Sequence, residues 1–262
     1  MQRLLALLNR IPIGVRAVPF GRDRLYADSL DRWVAATGWR LGWLEGDERA
    51  LIERVVGPGM IAVDVGANLG CHTLTLARRV GPMGRVHAFE PDPRNFRMLA
   101  RTVREADVPQ VRLHAAACVE HAGDVVLALA AANRGDNRLA TAGGAERDTV
   151  VVPGVVLDDV LAAEPRIDFV KIDVQGAEVG VLRGLGRTLA RSPGIGVLCE
   201  VCPTLLRDVG GHGADAFFAP LAAVGLRPHL VARDGRVEPI TPEAAWAAAD
   251  AAGYANLYFA AS

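Results

Sequence analysis

Residues 60–70, with the sequence MIAVDVGANLG, are a continuous apolar run that leads into a glycine-containing turn. A short run rich in β-branched residues predicts a buried strand, here over residues 60–65. A helical pattern follows over residues 69–80, and the Gly-Pro-Met-Gly sequence at 81–84 ends it. The sequence therefore predicts a strand–turn–helix unit with an acid, Asp64, close to the end of the strand.

The same alternation of strand and helix recurs along the chain. Further strands are predicted over residues 85–89, 111–116, 167–173 and 195–201, and helices over 94–105, 157–163 and 177–190. Strands that alternate with helices indicate an α/β protein in which a mostly parallel, doubly wound sheet carries helices on both faces. We therefore expect a Rossmann-like architecture.

Three regions depart from this alternation. Residues 124–129 and 149–152 are predicted strands of an antiparallel excursion, and they flank a polar loop at 133–147. The last third predicts helices over 214–224 and 242–252 and strands over 227–232 and 254–260, with the last strand antiparallel. Residues 1–50 are expected to form an irregular N-terminal cap, and residues 51–262 the main domain. A short helix is predicted over residues 47–56, where the cap ends.

Composition limits the classes of protein that this chain can belong to. The 262 residues are 51% hydrophobic, with 29 basic and 30 acidic side chains, which predicts a globular protein without the basic face that nucleic acid requires. Four scattered cysteines favour the cytoplasm over an oxidising compartment. The apolar run at residues 4–8 is too short for a signal peptide, and no stretch reaches the roughly 18 apolar residues of a membrane span.

Carboxylates follow most of the predicted parallel strands. The strand ends carry Asp64, Glu90, Asp173 and Glu200. Ligands of doubly wound sheets bind at these carboxyl ends. A partly buried carboxylate is costly unless it meets a donor or a cation, so the acids indicate a ligand site.

The glycine-containing turn does not fit a dinucleotide. The dinucleotide fingerprint needs glycine at its first, third and sixth positions, and these are Gly66, Asn68 and Cys71 here. The turn better suits a nucleoside that lacks a pyrophosphate and carries an ammonium and a sulfonium, as S-adenosylmethionine does. Glu90 is placed to accept hydrogen bonds from both ribose hydroxyls, although a nicotinamide ribose would be bound similarly.

Five segments together resemble a known family. The order VDVGANLGCHTLTLA, VHAFEPDP, LDDVL, FVKIDVQGAEVGVLRG and VLCEV is similar to the FkbM-type methyltransferases, over roughly residues 45–262 and most strongly over 60–200. The resemblance implies the class I methyltransferase fold, S-adenosylmethionine as cofactor, and O-methylation of a sugar, glycolipid or natural-product acceptor. We expect a small-molecule or glycan acceptor and no membrane or nucleic-acid partner.

The resemblance also assigns residues to the parts of the cofactor. It implies that the methionine half is lined by Asp64, Gly66, Asn68 and Gly70, the ribose held by Glu90, the adenosine approached by Asp92 and the adenine flanked by Ala117 and Cys118. Lys171, Asp173, Gly176 and Glu178 match the family's KID-containing signature. One position departs from it, because Gln175 stands where the family usually has Glu.

The KID sequence carries a physical argument of its own. Lys171, the only lysine of the chain, is two residues from Asp173 on a strand, so both side chains point to the same face. We expect Asp173 to contact the cofactor and, supported by Lys171, Glu178 or His212, to orient or deprotonate an acceptor hydroxyl. The alternative is an ion pair that only closes the end of the strand.

Other candidate sites carry weaker signals. Cys199 and Cys202 have the spacing of a zinc or redox pair, but no second pair accompanies them. A divalent metal is therefore possible but not indicated. Asp136 and Asn137 could reach the acceptor from their loop. Two rival functions stay open, namely an NAD-dependent oxidoreductase or epimerase and a non-catalytic domain that binds a cofactor or partner.

Overall fold

The structure is a computed structural model that describes residues 14–28, 46–130, 134–140 and 148–261. The apolar run at residues 4–8, residues 29–45 of the predicted cap, and residues 133 and 141–147 of the polar loop lie outside this part of the chain.

The described residues form fourteen strands and nine α-helices. The strands are β1 (Val15–Phe20), β2 (Asp23–Asp28), β3 (Ile61–Val65), β4 (Arg85–Phe89), β5 (Val111–His114), β6 (Ala117–Cys118), β7 (Gly123–Leu129), β8 (Arg138–Leu139), β9 (Asp148–Val155), β10 (Phe169–Ile172), β11 (Gly196–Val201), β12 (Leu226–Val231), β13 (Val237–Pro239) and β14 (Ala255–Ala261). The helices are α1 (Gly46–Val55), α2 (Cys71–Val80), α3 (Pro93–Glu105), α4 (Leu157–Val160), α5 (Glu178–Arg183), α6 (Gly186–Arg191), α7 (Pro203–Asp208), α8 (Ala214–Ala222) and α9 (Pro242–Ala252).

An eight-stranded sheet organises the fold. Its order is β5-β4-β3-β10-β11-β14-β12-β13. Strands β5, β4, β3, β10 and β11 pair in parallel, whereas β14 pairs antiparallel with both β11 and β12. This confirms the predicted α/β class, the mostly parallel doubly wound sheet and the antiparallel last strand.

Apolar side chains cover both faces of the sheet. Successive strand residues alternate between two core clusters, so that Val63 packs in one and Ala62 in the other, and Val197 and Leu198 separate in the same way. The period of two in side-chain direction explains this division. Helices then cover each face, which is why the parallel strands read as unbroken apolar runs in the sequence.

The described part of the N-terminal cap is a regular hairpin, so the prediction of an irregular segment is wrong there. Strands β1 and β2 pair antiparallel through a tight turn in which Gly21 has φ +55°, a conformation that glycine adopts without strain. Val18 and Leu25 pack with Leu51 of α1. The hairpin thereby joins the main core, and the predicted boundary after residue 50 falls inside α1.

The helix predicted over residues 177–190 is two helices, α5 and α6. A β-carbon at Gly184 would lie 2.5 Å from the backbone carbonyl oxygen of Val119, so glycine allows a close crossing there. The carboxylate of Asp158 then accepts hydrogen bonds from the backbone N–H groups of Arg187 and Thr188 at 2.8 and 2.7 Å. These bonds satisfy the first turn of a new helix and explain the break.

A second, four-stranded sheet has the order β6-β9-β7-β8, and its β7–β9 pair is antiparallel as predicted. This sheet brings Leu127 and Leu139 to the carboxyl ends of the main parallel strands. No helix in the described ranges combines the length and apolarity that crossing a bilayer requires.

Candidate active site

A crevice opens at the carboxyl ends of β3, β4 and β10. It encloses about 970 Å³, counted out to its open mouth and including the solvent there. Backbone and side chains of the turns after these strands line it, together with Leu25 of the hairpin and residues of the second sheet. The crevice is therefore where the sequence predicted a ligand site.

Gly66 lets two turns of the crevice meet. Its φ is +84°, and a β-carbon there would overlap the carbonyl oxygen of Asp173. The backbone N–H groups of Gly66 and Ala67 both donate to the carbonyl of Phe89, at 3.1 and 2.9 Å. The turn after β3 is thus held against both neighbouring strands, and only glycine fits at its first position.

Glu90 presents a fixed carboxylate to the crevice. One oxygen accepts a hydrogen bond from the backbone N–H of Asn68 and the other from that of Asp92, each at 2.8 Å. Burial raises the pKa of Glu90 to about 8, and the two N–H donors oppose that rise. In the ionised form each oxygen keeps a further lone pair, so the group can then accept hydrogen bonds from two ligand hydroxyls. Below pH 8 the protonated form has one O–H donor and accepts through its other oxygen.

Lys171 and Asp173 form an ion pair at the floor of the crevice. The ammonium Nζ lies 3.1 Å from Oδ2 of Asp173, and the lysine is only 1% exposed. Burial alone would raise the pKa of Asp173, but the charge of Lys171 and the amide of Gln175 lower it below its usual value. Asp173 is therefore a stable anion.

A neutral imidazole lies beside this pair. Burial and the nearby charge of Lys171 lower the pKa of His72 to about 3. Its Nε2 lies 3.5 Å from a carboxylate oxygen of Glu48 on α1. The cationic partner of Asp173 in this cluster is thus Lys171 and not histidine.

The other end of the crevice is mostly apolar and is closed by the second sheet. Ala117, Cys118, Leu127 and Leu139 line it. Asn137 connects it to the turn after β4, because its Nδ2 donates to Oδ2 of Asp92 at 2.7 Å while its Oδ1 accepts from the N–H of Ala130 at 2.8 Å. A flat apolar ring system would be well accommodated at this end.

Eight of the predicted site residues line the crevice: Gly66, Asn68, Glu90, Ala117, Cys118, Asn137, Lys171 and Asp173. Asp64 does not, which corrects the expectation that its side chain faces the ligand. It lies one residue inside the strand end, is fully buried, and accepts a hydrogen bond from Oγ1 of Thr73 at 2.6 Å. Helix α2 covers it.

Gly70 and Asp92 also lie behind the wall of the crevice and do not line it. Gly70 adopts φ +98° before α2, where a β-carbon would lie 2.8 Å from Cδ1 of Leu99. Its role is helix packing. Asp92 is buried and caps α3 by accepting from the N–H of Arg94 at 2.7 Å. It acts on the crevice through Asn137.

Two predicted catalytic residues lie away from the crevice as well. Glu178 is buried, and its Oε1 accepts from the N–H groups of Val174 and Gly176 at 3.3 and 3.1 Å, so it stabilises the turn after β10. His212 lines a second hollow of about 480 Å³, which adjoins the crevice through the shared lining residues Cys118, Leu139 and Ala177. Its N–H donates to the carbonyl of Leu206 at 2.9 Å, which folds its loop back onto α7.

Several lining residues were not predicted from the sequence. Among them are Leu25, His72, Asn95 and Arg138. His72 carried a usable signal, because it is the second residue of the helix that follows the glycine turn. The other three reach the crevice through long-range packing that no local pattern reveals.

The residues of the crevice fit S-adenosylmethionine. Oδ1 of Asn68 is buried and has no hydrogen-bond partner among the described residues, so it can accept from the ammonium of a methionine moiety. Glu90 suits the ribose, and the apolar end suits the adenine. Within the described ranges no group of three or more His, Cys, Asp or Glu side chains could hold a metal, and Cys199 of the Cys-x-x-Cys pair is fully buried in β11.

The position of β14 separates this fold from the nicotinamide-binding sheets. Those sheets follow the order 3-2-1-4-5-6. Here an antiparallel strand, β14, lies between β11 and β12. Such a sheet, with a crevice fitted to a nucleoside that carries an ammonium, defines the class I S-adenosylmethionine-dependent methyltransferases.

Within this class the chain belongs to the FkbM methyltransferase family, because the Methyltransferase FkbM domain matches residues 64–217. A relative described as Methyltransferase 1, from Beauveria bassiana (strain ARSEF 2860), is 29% identical over 143 residues. That match covers 47% of this chain and 57% of the relative, so the chain matches little more than half of the relative's length.

Solved structures of low sequence identity are also similar. One is a putative rRNA-methylase from Clostridium thermocellum, with 12% identity, a TM-score of 0.47, and coverage of 83% of this chain and 96% of that chain. Another is a putative methyltransferase from Streptococcus mutans in complex with SAH, with 10% identity, a TM-score of 0.47, and coverage of 81% and 94% respectively.

Proposed function

We propose that this protein transfers a methyl group from S-adenosylmethionine to a hydroxyl oxygen of a small-molecule or glycan acceptor. The observation that carries the proposal is the placement of the Lys171–Asp173 pair on the floor of the crevice that also contains Glu90. A fixed anion beside a nucleoside site supplies what an in-line displacement needs, which is orientation of the nucleophile.

Once bound, S-adenosylmethionine would supply an electrophilic methyl group to the acceptor oxygen. The hydroxyl proton would pass to solvent at the open mouth of the crevice, and S-adenosylhomocysteine would leave. Glu90 holds the ribose hydroxyls, and Asn68 holds the methionine end. Asp173 accepts a hydrogen bond from the acceptor hydroxyl and orients it. Its lowered pKa makes it better suited to orienting the hydroxyl than to retaining its proton.

Lys171 keeps Asp173 ionised and in place, and its own burial excludes water from beneath the reacting groups. Glu178 acts as a positioning residue, because it holds the backbone of the turn that carries Gln175. His212 has no direct role in this proposal, since it lines a different hollow.

The proposal is tested in two stages. Isothermal titration calorimetry with S-adenosylmethionine, S-adenosylhomocysteine and NADH should show binding of the first two and no comparable binding of NADH. A panel of sugars, glycolipids and polyketide-like alcohols is then incubated with S-adenosylmethionine, and the release of S-adenosylhomocysteine is measured. Tighter binding of NADH would favour an oxidoreductase, and bound cofactor without turnover across the panel would favour a non-catalytic domain.

A further inference from the structure

The amide of Gln175 lies between two carboxylates. Its Nε2 donates to Oδ1 of Asp173 at 2.7 Å and to Oε1 of Glu200 at 3.1 Å. Asp173 directly follows β10 and Glu200 is the penultimate residue of β11, and these two strands are parallel neighbours. The orientation of the amide follows from its surroundings, because the reverse orientation would place a carbonyl oxygen against two anions.

The backbone holds this amide in place. Gln175 has φ +54°, an uncommon conformation for a residue with a side chain, and Gly176 follows with φ +103°. A β-carbon at Gly176 would lie 2.6 Å from the carbonyl oxygen of Leu205, so the turn is packed against α7. Oε1 of Glu178 accepts from the N–H groups on either side of Gln175. Position 175 therefore cannot shift without breaking these contacts.

Two carboxylates that share one NH₂ group lie close enough to repel each other. Repulsion of this kind raises the pKa of one partner unless a cation or a set of donors compensates for it. On one side of Asp173 the charge of Lys171 compensates at 3.1 Å, and on the side that faces Glu200 the amide donates to both carboxylates. The two hydrogens of one neutral group thus bridge the two carboxylates.

We propose that the Gln175 amide takes the place of a bridging divalent cation and joins Asp173 of the crevice floor to Glu200 of β11 as a metal-independent pair. The carboxylate of Asp173, fixed in this way, offers a hydrogen-bond acceptor to a polyhydroxylated acceptor in the crevice. The role in binding an acceptor rests on the proposed methyl transfer, whereas the replacement of a cation by the amide does not. Gln175 is accordingly a positioning residue.

The proposal is tested with Mn²⁺ alone as the probe, followed by electron paramagnetic resonance of the free ion. Gln175→Glu has nearly the same size and adds a third carboxylate, so it should bind Mn²⁺ at least tenfold more tightly than the wild type. Gln110→Glu is the matched control, because Gln110 donates to the carbonyl of Ala77 at 2.8 Å, outside the site. Equal Mn²⁺ binding by the two variants would overturn the proposal.

Mn²⁺ binding by the wild-type protein is a second test of the proposal. Glu200→Gln should leave Mn²⁺ binding unchanged, because the wild type has no Mn²⁺ site that depends on Glu200. The affinity of the wild type for S-adenosylhomocysteine should not change when EDTA is added. Wild-type binding of Mn²⁺ that is lost in Glu200→Gln would mean that an ion, and not the amide, joins the carboxylates. If Gln175→Glu unfolds without metal, a rise in its melting temperature on adding Mn²⁺, absent for Gln110→Glu, supports the same conclusion.

Gln175→Leu separates charge compensation from simple packing. It keeps the approximate size of the side chain and removes both donors, so the pKa of Asp173, which the amide lowers, should rise in a ¹³C NMR titration. Gln175→Asn should recover part of that effect because it retains the amide. Unchanged titration in Gln175→Leu would show that the amide only fills space. Failure of the wild type to bind S-adenosylhomocysteine would instead count against the proposed function.

Discussion

A β-carbon at position 66 would overlap the backbone carbonyl oxygen of Asp173. The turn that follows β3 and the turn that follows β10 are therefore in backbone contact, and this contact sets the width of the crevice between the two proposed cofactor-binding turns. The first glycine of the turn is thus required by close packing as well as by its positive φ angle.

Gly66→Ala should strongly weaken the binding of S-adenosylhomocysteine and destabilise the fold by more than the roughly 1–2 kcal/mol that a left-handed alanine costs. The matched control is Gly59→Ala, because Gly59 has φ +79° but no atom within 4 Å of the place where a β-carbon would lie. Calorimetry and urea unfolding measure both effects. Similar losses in the two variants would show that backbone conformation alone matters at position 66.

Above pH 8, where Glu90 is ionised, Glu90→Ala should weaken S-adenosylhomocysteine binding by about 1.5–3 kcal/mol, the range for a charged hydrogen-bond partner. The reason is that the carboxylate lines the crevice and each of its oxygens has a remaining lone pair. Isothermal titration calorimetry measures the change, with Glu105→Ala on the outer surface as the control. Unchanged affinity would remove Glu90 from the cofactor site.

Lys171→Arg should lower the free energy of unfolding by roughly 1–3 kcal/mol, the usual cost of overpacking a buried site. The side chain of Lys171 is 2% exposed, so the larger guanidinium cannot be accommodated without displacing Asp173. Arg166→Lys at an exposed ion pair is the control, since its side chain is 58% exposed. If Lys171→Arg unfolded at the same urea concentration as the wild type, the site would be large enough for a guanidinium.

The stability of the protein should depend on pH through Glu178. Burial raises the pKa of Glu178 from its usual 4.5 to about 7, so the folded chain keeps a proton that the unfolded chain releases. The associated stability is complete below pH 4.5 and is lost as the pH rises through 7. Glu178→Gln removes this titration. Between pH 5 and pH 8 the wild type should lose on the order of 2 kcal/mol relative to the variant in urea unfolding. If the free energies of unfolding of the wild type and of Glu178→Gln changed with pH by the same amount, the raised pKa of Glu178 would be contradicted.

Local patterns predicted the elements of the main sheet well. Strand β4 and helix α9 have the predicted bounds, because apolar periodicity and flanking breakers mark both ends. The carboxylates of Glu90 and Asp173 were placed correctly in the crevice for the same reason, since each stands at or just after the end of a strand.

The failures have a common physical cause. Asp64 is one residue too deep in its strand, and whether α2 covers it depends on how that helix packs. Leu25 reaches the crevice from a hairpin far away in the sequence. The break between α5 and α6 depends on a close approach to Val119. Each of these depends on tertiary contacts, which periodicity does not encode.

Lys171 has a consequence for chemical modification of the protein. It is the only lysine in the sequence, and it lies at the floor of the crevice. Enzymes that acetylate, methylate or ubiquitinate lysine therefore find no lysine amine on the outer surface. Once the α-amino group is blocked, an amine-reactive label can react only with Lys171. The labelling rate would therefore measure how often the floor of the crevice opens, and no engineered tag is needed.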